Sequence, residues 1–240
     1  MKEYNLRLCI AMGLIVLLFL AFVLQGVFRQ PAKIHLPEQG QSGISEAENT
    51  LGEIMISPST VQRAIASLER PKNYAQSVSL SYYYGEDTAS TTVQVRVYGK
   101  WTRTDLTDSS GSARHVITNG DTDYIWYGNS REFYQGKALF NADTQAQILT
   151  YEDVLSLPQE DIITADFRNY NGAECICVTA KGEQDGYTDT YWVKTQDGLL
   201  YAAEIRNGSE VVYRMSVRST EYDTVSASAF TLPNGKKLTK

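Results

Sequence analysis

Two histidines and three cysteines are the side chains from which this chain of 240 residues would have to assemble nucleophilic or metal chemistry. His115 with Asp121 or Asp123 is the pairing that suits a general base oriented by a carboxylate. It falls in an alternating run, Arg114 to Thr118, with no nucleophile motif beside it, so it reads as a structural or surface histidine. His35 stands alone in a polar stretch that contains two prolines. Cys175 and Cys177, spaced Cys-Ile-Cys, share one face of a strand, where a bridge between them would be strained. A metal would need further ligands, and Cys9 lies far away in an apolar run, so the pair reads as two small buried hydrophobes. Glu152-Asp153 and Glu160-Asp161 are helix-end and loop residues of an acidic chain. Hydrolysis by paired carboxylates depends on a separation in space that spacing along the chain does not fix. There is no Gly-x-Ser-x-Gly elbow, phosphate-binding loop, dinucleotide glycine motif or His-Glu-x-x-His. The expectation is a non-enzyme with no cofactor and no metal site.

Aromatic side chains are the other candidates. Sixteen tyrosines is a high count, and aromatics favour strands. Tyr82-Tyr83-Tyr84 and Tyr124-Ile125-Trp126-Tyr127 put rings on both faces of their strands. With one face in a core, Tyr83 and either Trp126 or Tyr127 face outward or line a cavity. That arrangement suits stacking on a sugar or a peptide; cross-strand pairing within the sheet is the simpler account.

The elements that position these residues begin with an anchor. Leu8 to Val27 reads LCIAMGLIVLLFLAFVLQGV, without a charge and with Gln25 its only clearly polar side chain. Twenty helical residues cover roughly 30 Å, the thickness of a bilayer's hydrocarbon core, and a helix satisfies its own backbone there. The stretch is longer than a signal peptide's apolar region and lacks a small-x-small exit, so it reads as a retained signal anchor. Lys2 and Arg7 before it balance Arg29 and Lys33 after it. A short tail and a long strand-rich domain place the amino terminus inside and the domain outside, a single-pass protein of the cell membrane.

Setting aside Lys2, Arg7, Arg29 and Glu3 leaves 19 basic against 27 acidic residues beyond the span, a net of −8. Such a domain repels nucleic acid and anionic headgroups alike, which excludes a nucleic-acid partner. The expected organisation is a cytoplasmic tail at 1–7, a transmembrane helix at 8–28, a flexible stalk at 29–57, a domain at 58–235 and a short tail at 236–240. The stalk is polar and rich in proline and glycine.

Ser57-Pro58 predicts a helix start, with serine as cap and proline in the first turn. Val61, Ala64, Ile65 and Leu68 make its apolar face, and Pro71 stops it. Strands are predicted at 77–84, 92–98, 101–106, 114–118, 122–127, 188–194, 199–206 and 210–220, from alternation between turn signals. Asn119-Gly120, Asn171-Gly172, Asp197-Gly198 and Asn207-Gly208 mark an antiparallel meander. A second helical patch spans Asp143 to about Leu157, with a capping box at Thr150 and Asp153.

The order of these runs carries a resemblance. A helix leads into the strands at 77–84 and 93–98, followed by Trp101-Thr102-Arg103, Ile117-Thr118-Asn119-Gly120-Asp121 and Tyr124-Ile125-Trp126-Tyr127. Tyr191-Trp192-Val193-Lys194, Asp197-Gly198-Leu199-Leu200, Val212-Tyr213 and Phe230-Thr231-Leu232-Pro233-Asn234-Gly235 complete it. Over about residues 58–235 the chain resembles the LolA/LolB-like superfamily of lipoprotein carriers and RseB-type sensors. It most resembles the membrane-tethered Gram-positive versions related to the germination lipoprotein GerS. The resemblance implies an α+β fold: a curved antiparallel β-sheet, or half-open barrel, with covering helices. In this chain it is preceded by the transmembrane helix. It implies a cavity for acyl chains, or a docking surface for a protein. Val78, Leu80, Tyr82, Val93, Val95 and Val97 would form the concave wall, and Val61, Ile65 and Leu68 its lid. Two functions follow as expectations. One is a membrane-anchored module holding a lipid or lipidated peptide; the other is an RseB-like regulatory or structural protein that binds an envelope protein, related to sporulation or germination.

Overall fold

The structure is a computed structural model that describes residues 55–108, 110–138 and 148–239. The tail, the span, His35, Cys9 and nearly all of the stalk lie outside the described residues, as does the onset of the second helix at Asp143. Among the described residues no helix is long and apolar enough to cross a membrane.

Alternation along the chain becomes one sheet of eleven strands. The first six are β1 (Asn73–Tyr84), β2 (Asp87–Tyr98), β3 (Trp101–Thr107), β4 (Ala113–Thr118), β5 (Thr122–Tyr127) and β6 (Tyr134–Lys137). The other five are β7 (Ile162–Tyr170), β8 (Ala173–Lys181), β9 (Tyr187–Lys194), β10 (Leu200–Asn207) and β11 (Glu210–Tyr222). Every neighbouring pair is antiparallel. The spatial order is β6-β5-β4-β3-β2-β1-β11-β10-β9-β8-β7, so two meanders are sewn together where β1 meets β11. Among the described residues, the edge strands β6 and β7 pair on one side only. An open sheet of this many strands is consistent with a curved half-open barrel.

The turn residues explain the meanders. Between β7 and β8 the loop is only Asn171-Gly172, and both have positive φ, 50° and 84°. This is the primed turn whose twist matches the flanking strands, and asparagine and glycine tolerate it best.

Two short helices lie on one face: α1 (Val61–Ser67) and α2 (Tyr151–Ser156). Ser57 to Thr60 forms a hydrogen-bonded turn, the Val61 amide donating to the Ser57 carbonyl at 2.9 Å, and the regular helix begins one turn later than the sequence predicts. Thr150 caps α2 as its sequence predicts, and Ile148 to Thr150 are not helical. Helix α1 caps the end of α2: the Gln62 side-chain amide donates to the carbonyls of Val154, Leu155 and Leu157 at 3.1, 3.1 and 2.8 Å. They lie at the carboxyl end of α2, where the last carbonyls run out of intrahelical donors.

Beneath the helices lies the larger core. Val61 and Ile65 pack with Val78, Leu80, Val93, Val154, Val178, Val193 and Met215. A second core occupies the opposite face, where Ile117, Tyr124 and Trp126 meet Val225, Phe230 and Leu232. Asn73 pins the segment that covers it, donating to the Val225 carbonyl at 2.9 Å and accepting from its amide at 3.0 Å. Phe230 is fully buried beside Tyr98 and Trp101.

Candidate functional site

Register decides which of the chemical candidates meet. Across β3 and β4, His115 stands opposite Asp105, and its Nδ1 lies 2.6 Å from the Asp105 carboxylate. The expected partners are not there: Asp123 pairs with Thr118, on the other face from His115, and Asp121 is in the turn. Asp105 also accepts from Arg96 and from Arg103 Nε at 2.9 Å, while His115 stacks on Trp126 with centroids 5.0 Å apart. Arg103 then donates to the Ala229 carbonyl at 2.8 Å. The histidine is one member of a polar network that ties the sheet to the covering segment, set beside a carboxylate, two guanidinium groups and an indole.

Cys175 and Cys177 are free and buried, on the face away from the helices, opposite Lys194 and Trp192. Burial pushes both thiols up to about 11, with each other's charge adding at Cys175. Among the described residues no group of three or more His, Cys, Asp or Glu is placed to hold a metal ion.

The aromatics divide between the two faces. Tyr82 packs on Tyr213 at 5.4 Å under the helices, Tyr83 lies below Arg214 on the opposite face, and Trp126 is buried in the second core. Tyr84 and Tyr127 are exposed. Having a core on both faces accommodates rings that a one-faced sheet would leave outward.

A polar cavity of about 370 Å³ opens beside Ser79, Thr92 and Arg218, and two larger ones lie against the covering elements. One, of about 410 Å³, lies between the sheet and the segment before Phe230, and its lining is polar: Gln76, Ser77, Gln94, Arg96, Ser219 and Glu221. The other, of about 480 Å³, opens between the sheet and the start of α2. Its floor is Val78, Val95, Val97, Leu200 and Met215, and its roof is Ile148, Leu149 and Tyr151. Pockets for small molecules run from about 300 to 1,000 Å³, and the second combines an apolar floor and roof with a polar rim of Arg70, Lys72, Gln76, Lys100, Thr102 and Glu152.

Of the nine residues expected at a lipid site, Val78, Val95 and Val97 line this cavity. Val61, Ile65, Leu80 and Val93 are fully buried in the packed core, and Leu68 and Tyr82 pack against it. Helix α1 leans on β8 and α2, so the valines near the β2–β3 turn stay uncovered by it and the space opens there.

One frame residue, Arg70, is missed by the reading of the sequence. It folds back so that Nη2 donates to the Ile65 carbonyl at 2.6 Å, Nη1 to Leu68 at 2.9 Å and Nε to Gly198 at 3.1 Å. Its guanidinium lies 3.8 Å over the Tyr151 ring. One side chain thus joins the end of α1, the β9–β10 turn and the first turn of α2. A basic residue just past a helix and before a proline is the sequence signal for such a cap. Tyr74, also lining the cavity, is held above the usual phenol range chiefly by burial and stays neutral.

No protein-family model matches the chain, and no curated protein matches it in sequence. Solved structures that it is similar to include an uncharacterized conserved protein from Thermus thermophilus, at 6% identity and TM-score 0.47, covering 71% of this chain and 90% of that one. The Mycobacterium tuberculosis lipoprotein LppX is similar at 11% identity and TM-score 0.39, over 70% and 94% of the two chains. A LolA superfamily protein from Nitrosomonas europaea is similar at 10% identity and TM-score 0.36, over 73% and 97%.

Proposed function

We propose that the chain is a non-enzymatic binding module, anchored in the cell membrane by residues 8–28 with its sheet domain outside, and that it holds the acyl part of a lipid or lipidated peptide. The observation that carries this reading is the cavity of about 480 Å³ floored by Val78, Val95, Val97, Leu200 and Met215. Each buried methylene contributes about 0.8 kcal/mol, so the apolar floor of this space rewards an acyl chain. Val95→Asp puts a charge on that floor, whereas Tyr83→Ala alters the opposite face. Lipid retained by the purified full chain, measured by mass spectrometry, falls with Val95→Asp and holds with Tyr83→Ala. Equal losses, or loss only with unfolding, defeat the reading.

A second reading has an observation of its own. Strand β7, nine residues long, pairs only with β8 among the described residues, and Ile163 and Phe167 on it are exposed. Such an edge accepts an extended segment by strand addition, which suits docking of an envelope protein in the RseB manner and a regulatory part in sporulation or germination. Cross-linking from position 167 to a partner, with no lipid retained, favours this second function.

A further inference from the structure

The charges around the cavity run against those of the chain. Beyond the span the chain carries a net of −8, yet the charged residues lining this space are Arg70, Lys72 and Lys100 against Glu152 alone. Arg70 is spent on three carbonyls and the Tyr151 ring. The two lysines are not. Among the described residues neither Lys72 nor Lys100 has a carboxylate within 4.0 Å, a condition shared with the exposed Lys137, Lys236 and Lys237; what sets the two apart is that they line this cavity. Backbone geometry sets the two side by side: the Gly99 amide donates to the Lys72 carbonyl at 2.7 Å, and Lys100 follows Gly99 in the β2–β3 turn. They therefore flank one end of a space whose floor is apolar.

We infer that the cavity takes a single-chain amphiphile with an anionic head, a carboxylate or a phosphate, its chain on the valine floor and its head between Lys72 and Lys100. This rests on the acyl-binding reading above. The chain supplies most of the transfer free energy, and the two ammonium groups select the head by charge-assisted hydrogen bonds. An uncharged head loses that selection and keeps the rest.

The test uses the full chain in nanodiscs of zwitterionic phosphatidylcholine, with two photoreactive probes of equal length, a diazirine analogue of palmitate and one of hexadecanol. Cross-links are mapped by peptide. Palmitate labels the peptides containing Val95, Val97 and Leu149 at about tenfold lower concentration than the alcohol does. The double variant Lys72→Gln/Lys100→Gln brings the carboxylate to the level of the alcohol and leaves alcohol labelling and thermal stability unchanged, and raising the salt does the same in part. Equal labelling by both probes in the unaltered chain overturns the anionic-head assignment while the acyl cavity stands. Labelling of the cavity peptides by neither probe overturns both.

Discussion

Val93 and Val95 stand two residues apart on β2 and point to the same face, yet their surroundings predict opposite responses to the same substitution. Val93 is fully buried in the packed core, opposite Val78 and Leu106. Val95 is only partly buried and lines the cavity of about 480 Å³. Adding a phenyl ring at Val93 forces a filled core to move, which typically costs about 1–3 kcal/mol. At Val95 the ring enters open space; if it buries roughly 40 Å² more apolar surface than valine, it gains about 1 kcal/mol at 25 cal/mol per Å². For a domain of this size each kcal/mol shifts the midpoint by about 2–4 °C. Thermal unfolding followed by circular dichroism therefore places Val93→Phe about 2–12 °C below the parent chain and Val95→Phe level with it or up to about 4 °C above. Because the ring occupies the space, Val95→Phe also lowers lipid retention. A Val95→Phe midpoint as low as that of Val93→Phe shows that the space is filled, and the reasoning fails.

Three further expectations test the frame and its surroundings. Gly198 has φ +65°, and a methyl there would sit 3.0 Å from Leu68 Cβ and 3.1 Å from Arg70 Cγ, whereas at Gly208, φ +57°, it would meet nothing. Both Gly→Ala changes carry the left-handed backbone cost of about 1–2 kcal/mol, and Gly198→Ala costs about 1 kcal/mol more because Arg70 must shift; equal urea midpoints for the two variants contradict the close approach. Burial holds the Asp189 carboxyl above its ordinary range, against the opposing Tyr191 hydrogen bond, so the folded state binds its proton more tightly than the unfolded chain. That carboxyl weakens the fold above its folded pKa, and the penalty vanishes as the pH drops below the unfolded value. Asp189→Asn consequently stabilises at pH 7 and adds nothing near pH 3, and a gain of the same size at both pH values rules out proton linkage as the cause. With thiols pushed up to about 11, only about one in a thousand of Cys175 and Cys177 is thiolate at pH 8. Iodoacetamide leaves both unmodified in the folded chain and labels both in urea; rapid native labelling contradicts their burial.

Eight of the strands are legible in the sequence because period-two alternation and Asn-Gly or Asp-Gly turns are local signals, whereas β6, β7 and β8 are not predicted, although Asn171-Gly172 marks the turn between the last two. The strand predicted at 122–127 is β5 to the residue, β1 and β2 begin four and five residues before their predicted starts, and the other predicted strands agree within two residues at each end. What local signals do not carry is which strands of the two meanders meet, so the β1–β11 seam and the second core on the far face come only from the fold. That second core explains Trp126 and the Phe230–Leu232 run, which a sheet with one packed face leaves without a place. His115 is the same case: its carboxylate is ten residues upstream in sequence and directly opposite in register. The lining of the cavity is half legible. Val78, Val95 and Val97 follow from alternation, but Arg70, Lys72 and Lys100 reach it through a helix end and a turn, where periodicity says nothing about direction.

The most direct measurement of an acyl site beneath α2 is a crystal structure of the chain loaded with a fatty acid brominated at its chain end, read by the anomalous signal of bromine. The account predicts a bromine peak against Val78, Val95 or Met215 with the carboxylate toward Lys72 and Lys100. Bromine found only elsewhere, or side chains closing the space between Val95 and Tyr151, contradicts it.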